Sequence, residues 1–244
     1  MKNVHPFKLS LAAAALLVSC GALAQEAAIR KALAERLPNL PKIDEITRTP
    51  IAGLFEVRFG GTEILYSDAT GEHVLNGSLI ETKTRTDLTE ARLEKLLAID
   101  FDKLPLKDAI SLRQGNGSRK MAVFVDPNCG YCKRFERDLT TIKDVTIYTF
   151  LMPILGPDST VKSRDIWCAK EPMRAWRDWM LDGVVPPKAA AKCDTAAIER
   201  NVAFSRANRI NGTPAVFFED GTRKPGALPG PEVERLLVAA SARK

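Results

Sequence analysis

A chain of 244 residues with 45% hydrophobic and 27% charged residues has room for one large or two modest buried cores, and its composition excludes wholesale disorder and collagen-like repeats. Five cysteines are too few for a disulfide-scaffold mini-protein. The formal charge of +6 is spread along the chain without a basic run of five, which argues against a nucleic-acid partner.

Residues 1–24 read as a signal segment. Lys2 and Lys8 form a positive n-region, Leu9 to Val18 is apolar, and Ala22-Leu23-Ala24 is a small-x-small cleavage pattern. The apolar run falls well short of the ~20 residues of a membrane-spanning helix. The sequence therefore predicts export with cleavage after Ala24. Leu17-Val18-Ser19-Cys20 also looks like a lipobox, which would lipidate Cys20, but Ala-x-Ala is the better-formed signal. Loss of Lys2 and Lys8 takes the charge from +6 to +4, and Cys129, Cys132, Cys168 and Cys193 remain. Four cysteines in an oxidising compartment suggest two pairs. His73 is the one histidine left, so chemistry that needs several is excluded.

Glu26 to Leu37 has helical apolar spacing, ended by Pro38 and Pro41. From Ile43 to Thr84 short strands such as Leu54–Phe59 and Glu63–Tyr66 alternate with turns at Gly53, Gly60-Gly61, Asp68–Gly71 and Asn76-Gly77. This predicts an α+β unit of about sixty residues, too small to bury much surface alone and so a candidate for dimerisation. Asp87, with Glu90 three residues later, caps a second helix that runs to about Ile99. It reads as a linker, with an ordinary packed helix as the alternative. Strands at Ala109–Leu112 and Lys120–Val125, joined by Gly115-Asn116-Gly117, precede a helix that begins near Cys129. Val145–Leu151 is a strand, and a mostly helical stretch follows from Val161 to about Asn208, interrupted at Gly183 and Pro186-Pro187. Ala215–Phe218 is another strand, and Glu232–Ala240 is the last helix, after Pro231. The order predicts a sheet covered by helices, with a helical insertion.

Cys129-Gly130-Tyr131-Cys132 follows a strand and opens a helix. Unpaired N–H groups and the helix dipole stabilise a thiolate there, so Cys129 is the expected nucleophile and Cys132 the resolving thiol of thiol–disulfide exchange. A four-cysteine zinc site would need a second close pair, whereas Cys168 and Cys193 lie 25 positions apart. Those two read as a structural bridge worth roughly 3–4 kcal/mol in the chain-entropy treatment. A second redox pair is the alternative. Pro214, in Asn211-Gly212-Thr213-Pro214-Ala215-Val216, belongs at a strand's start, and taken alone its bond to Thr213 reads as trans. Trp176 and Trp179 read as packing residues, His73 as a surface residue, and Asp126 as a turn or capping residue before Pro127.

Together these motifs resemble the periplasmic thiol:disulfide isomerases of the DsbC/DsbG type. The likeness covers the mature chain: Val57 to Tyr66, the linker helix, Cys129–Cys132, Ile166-Trp167-Cys168-Ala169-Lys170 and Gly212-Thr213-Pro214-Ala215-Val216. Cys-Gly-Tyr-Cys is similar to the DsbC branch. The resemblance implies a cystatin-like α+β dimerisation domain (25–85), a linker helix (86–102) and an α/β thioredoxin-fold domain (103–244) with its insertion at about 158–210. It implies that Pro214 is cis and faces Cys129, that Thr213 pairs with an extended substrate, and that Cys168 and Cys193 are the family's structural disulfide. It also implies a V-shaped homodimer whose cleft holds misfolded exported proteins, and an inner-membrane reductase of the DsbD type that keeps Cys129 and Cys132 reduced. Lys133 departs from a close relative's histidine, which bears on the thiol pKa. No metal or organic cofactor is required. The rival readings are a reductase of sulfenylated cysteines and a dimeric chaperone with incidental thiols.

Overall fold

The computed structural model describes residues 24–242, which form two compact units divided between Leu96 and Leu97. The expected signal segment, with Cys20, lies outside the described residues except for Ala24.

In the first unit, residues 24–36 form helix α1. It is followed by an antiparallel meander of β1 (Ile43–Arg48), β2 (Leu54–Phe59), β3 (Glu63–Asp68) and β4 (Val74–Leu75), paired in chain order. Alternation along β2 sends Phe55, Val57 and Phe59 inward, where they meet Ile29 and Leu33 of α1. The turn after β3 passes so close to α1 that a Cβ on Gly71 (φ +69°) would lie 2.8 Å from Ala32 Cβ. A two-residue ribbon, β5 (Ile80–Glu81) with β6 (Thr86–Asp87), leads into α2 (Leu88–Leu97). Asp87 Oδ1 accepts the Glu90 N–H at 2.8 Å, the cap that the sequence suggests. The first turns of α2 pack on the meander: Thr89 Oγ1 bonds the Tyr66 hydroxyl and accepts the Leu79 N–H. The Arg92 guanidinium reaches Glu45 and Glu56 at 2.6 and 3.0 Å.

The second unit is a five-stranded sheet of β7 (Ile110–Gln114), β8 (Arg119–Val125), β9 (Val145–Leu151), β10 (Ala215–Phe218) and β11 (Arg223–Pro225), in the order β11-β10-β8-β9-β7. Only β8 and β9 are parallel, and they are joined through α3 (Gly130–Leu139). Although the Gly115-Asn116-Gly117 turn connects β7 and β8, the two strands are not neighbours, because β9 lies between them. Central β8 is covered on both faces. Met121, Val123 and Val125 meet Phe135 and Leu139 of α3 and Val233 and Leu237 of α7 (Gly230–Ser241). On the other face Phe124 lies among Phe150, Phe204 and Phe217.

Between β9 and β10 lie α4 (Pro157–Trp167), α5 (Pro172–Arg177), a π-helical turn (Asp178–Asp182) and α6 (Ala196–Ala207). Helix α4 starts earlier than the pattern from Val161 suggests, since Gly156 (φ +120°) turns the chain and Pro157 occupies the first helical position. The expected helical stretch is also broken more widely: residues 183–195 are irregular. Gly183 (φ +71°) ends the π turn, and Pro186-Pro187 cannot donate the N–H groups that a new helix needs.

Candidate active site at the start of α3

The site is assembled by strand pairing. Strand β10 runs antiparallel to β8 with Ala215 opposite Phe124, so the residues just before β10 lie beside those just after β8. Thr213 is thereby brought to Cys129, and the Cys129 thiol donates to the Thr213 carbonyl at 3.2 Å. The Thr213–Pro214 bond is cis, against the trans reading from the residues alone and in agreement with the resemblance. Pro214 is buried, and its carbonyl accepts the Gly226 N–H at 2.8 Å.

Cys129 is the N-cap of α3, and its sulfur accepts the Cys132 N–H at 3.2 Å. That places it where a helix offers its unpaired N–H groups. Its thiol is lowered from 9.0 to about 6, chiefly through the hydrogen bond with the Cys132 thiol. Burial opposes the shift, while Thr213 and the backbone N–H groups of Cys132 and Tyr131 support it. Cys132, one turn in and 2% exposed, moves the opposite way. Burial, then the neighbouring Cys129 sulfur, push its thiol far above the ordinary range. Two thiols in contact thus have opposed proton affinities, the arrangement that thiol–disulfide exchange requires. Both cysteines are free.

Around the pair, Tyr131 is 65% exposed, with the Arg134 guanidinium 5.4 Å from its ring centre. No atom lies within 4 Å of where a Cβ on Gly130 would be. The Lys133 ammonium lies 4.2 Å from the centre of the Trp179 ring, which Lys162 also approaches at 4.8 Å. The Trp179 Nε1–H donates to the Pro127 carbonyl at 2.6 Å. Trp176 is fully buried and donates to Glu136, whose carboxyl is raised chiefly by burial. Both tryptophans are packing residues with a polar bond each.

Asp126 does more than turn the chain. It is fully buried and takes four donors: the Asn128 N–H (2.7 Å) and Ser159 hydroxyl (2.7 Å) on Oδ1, and the Ile154 (2.8 Å) and Leu155 (3.0 Å) N–H groups on Oδ2. It ties the turn before Cys129 to the loop between β9 and α4. An acidic residue at the end of an apolar strand is the sequence signal for this role, but three of the four donors come from about thirty residues away and no local pattern names them.

Cys168 and Cys193 form a disulfide with Cα atoms 6.0 Å apart, joining the end of α4 to the irregular segment before α6. The Trp167 Nε1–H donates to the Asp194 carbonyl beside it. His73 is exposed and bonds Asp68 at 3.0 Å, holding that carboxyl down to about 2. Among the described residues, the grouping of potential metal ligands is Asp68, Glu72 and His73, in the first unit.

Residues 106–241 match the family described as "Thioredoxin-like domain", and residues 20–90 match "Disulfide bond isomerase protein N-terminal domain". Over 213 residues the chain is 48% identical to the probable thiol:disulfide interchange protein DsbC of Bordetella parapertussis, covering 87% of this chain and 74% of that one. Over 220 residues it is 28% identical to the thiol:disulfide interchange protein DsbC of Escherichia coli K12, covering 88% and 89%. A crystal structure of a disulfide interchange protein from Neisseria gonorrhoeae superposes with a TM-score of 0.53 at 36% identity, covering 56% of this chain and 98% of that one. With a thioredoxin-like domain that carries the paired cysteines and a DsbC-type domain before it, the chain belongs to the DsbC family of thiol:disulfide interchange proteins.

Proposed function

We propose that this enzyme isomerises non-native disulfides in exported proteins, with Cys129 as nucleophile and Cys132 as resolving thiol. The observation that carries the reading is the opposed pair of thiols, one lowered to about 6 at the start of α3 and the other held protonated by burial. The Cys129 thiolate attacks one sulfur of a substrate disulfide, forming a mixed disulfide and releasing the other sulfur as a thiolate. A second substrate thiolate then attacks the substrate sulfur of that mixed disulfide. This forms the new pairing and returns Cys129 as a thiolate, with no net redox change. If Cys132 loses its proton and attacks Cys129 Sγ instead, the substrate leaves reduced and the Cys129–Cys132 disulfide must be reduced by an external dithiol. The high proton affinity of Cys132 slows that second route and favours rearrangement over reduction.

Thr213 and Pro214 flank the nucleophile. The Thr213 backbone is the element that pairs with an extended substrate, Gly130 and Tyr131 keep the approach open, and the Cys168–Cys193 bridge is structural. The dimerisation domain lies within the first unit, over 25–85, with 86–102 as the linker and 103–244 as the catalytic domain. Support for a homodimer comes from its short edge strand β4, where Val74 and Leu75 are exposed, as is Ile80 of β5. The location is the periplasm after cleavage behind Ala24. The partners are misfolded disulfide-containing proteins and an inner-membrane dithiol reductase of the DsbD type, and chaperone activity belongs to the dimer.

The test is recovery of activity from scrambled ribonuclease. Cys129→Ala is expected to abolish it while leaving any assistance to a disulfide-free client intact. Isomerisation that survives Cys129→Ala refutes the mechanism. Faster turnover of a sulfenylated protein than of scrambled disulfides would favour the reductase reading.

A further inference from the structure

We propose that Arg223 is a positioning residue for the nucleophile: from β11 it holds the start of the loop that presents Thr213 to Cys129. Arg223 is 7% exposed. Its guanidinium donates to the carbonyls of Asn208 (2.9 Å) and Arg209 (2.6 Å) and lies 5.6 Å from the centre of the Phe217 ring. No carboxylate among the described residues offsets its charge, and burial alone acts on its pKa, pushing it down. A cation buried without a counter-ion is costly, and an apolar side chain would fill the same space without that cost. What the guanidinium supplies that a hydrocarbon cannot is a two-pronged hold on the backbone at one point.

That point is where α6 gives way to the loop. Asn208 closes the helix, Arg209 takes a left-handed conformation (φ +52°), and four residues later the chain reaches Thr213. The far end of the same loop is held from the same strand, by the Gly226 N–H on the Pro214 carbonyl just beyond β11. The β11 strand therefore clasps the loop at both ends, and Arg223 is its side-chain half. The plainer role for a cation here is to cap the carbonyl end of α6. A cap alone would leave the Cys129 thiol unmoved, whereas a displaced Thr213 removes the side-chain hydrogen bond through which Thr213 lowers that thiol.

The inference rests on Cys129 being the nucleophile, and the experiment separates the two claims. The far-ultraviolet thiolate absorbance of the reduced full chain is followed against pH for wild type, Cys129→Ala, Arg223→Met and Arg223→Lys, with thermal melts alongside. Wild type is expected to titrate near 6, and Cys129→Ala to remove that transition. Arg223→Met is expected to raise the midpoint by roughly half a unit or more, and Arg223→Lys by less, since one ammonium cannot span both carbonyls as a fork. If Arg223→Met does not fold, Arg223→Lys carries the test. Folded variants that melt earlier but titrate at the wild-type midpoint reduce Arg223 to a helix cap and overturn the proposal. A low transition that survives Cys129→Ala overturns the nucleophile assignment instead, and shows it without any Arg223 variant.

Discussion

Cys129 and Cys132 share one turn of helix, yet their environments pull their protons in opposite directions, and this makes the stability of the reduced enzyme depend on pH. Below about 6 both thiols are protonated whether the chain is folded or not. Between about 6 and 9.0 the folded chain holds Cys129 as a thiolate while the unfolded chain keeps the proton, so stability rises with pH. Above 9.0 the sign reverses, because the unfolded chain can ionise Cys132 and the folded chain cannot. Denaturant melts of the reduced protein should therefore show a maximum near pH 9.0, and Cys129→Ala should flatten the rising limb. A rising limb that persists in the variant would break the link to Cys129. At this scale the motif itself was legible, because Cys-Gly-Tyr-Cys after an apolar strand carries its own geometry. Asp126 and Arg223 were not legible in these roles: each is defined by backbone groups far away in sequence or on another element.

At the scale of elements, β8 is the part on which the site depends, since it is buried on both faces and runs straight into the turn before Cys129. Phe124 lies at its aromatic centre, stacked 4.5 Å from Phe150. Phe124→Ala is expected to cost about 3–5 kcal/mol in urea denaturation, and Phe124→Leu less than half of that. Equal costs would mean that ring packing is not what holds this face. The strands of the second unit could be read from β-branched and aromatic runs, but their order could not. A glycine turn between β7 and β8 looks like a hairpin, yet the pairing is decided by where α3 returns β9. The irregular segment at 183–195 was marked by Gly183 and Pro186-Pro187, but its full extent depends on the bridge and bonds that hold Cys193 and Ala189 to α4.

For the whole molecule, the small first unit offers the natural surface for self-association. Leu75, 61% exposed on the edge strand β4, is the residue through which to test it. Mature protein is expected to sediment as a dimer, and Leu75→Lys to shift it towards monomer by placing a charge on the pairing edge. The monomer should still reduce a small disulfide in the presence of a dithiol while losing activity on scrambled ribonuclease. A wild type that sediments as a monomer would remove the dimer from the mechanism.

The four donors gathered on Asp126 have a thermodynamic consequence for every encounter with a client. They fix the turn that carries Cys129 before any substrate arrives. Ordering each backbone residue of that turn costs about 1–2 kcal/mol of conformational entropy, and this loss occurs once, during folding. Capture of a misfolded chain then bears the ordering of the client alone, so unrelated clients can dock on an unchanging site without each having to organise it.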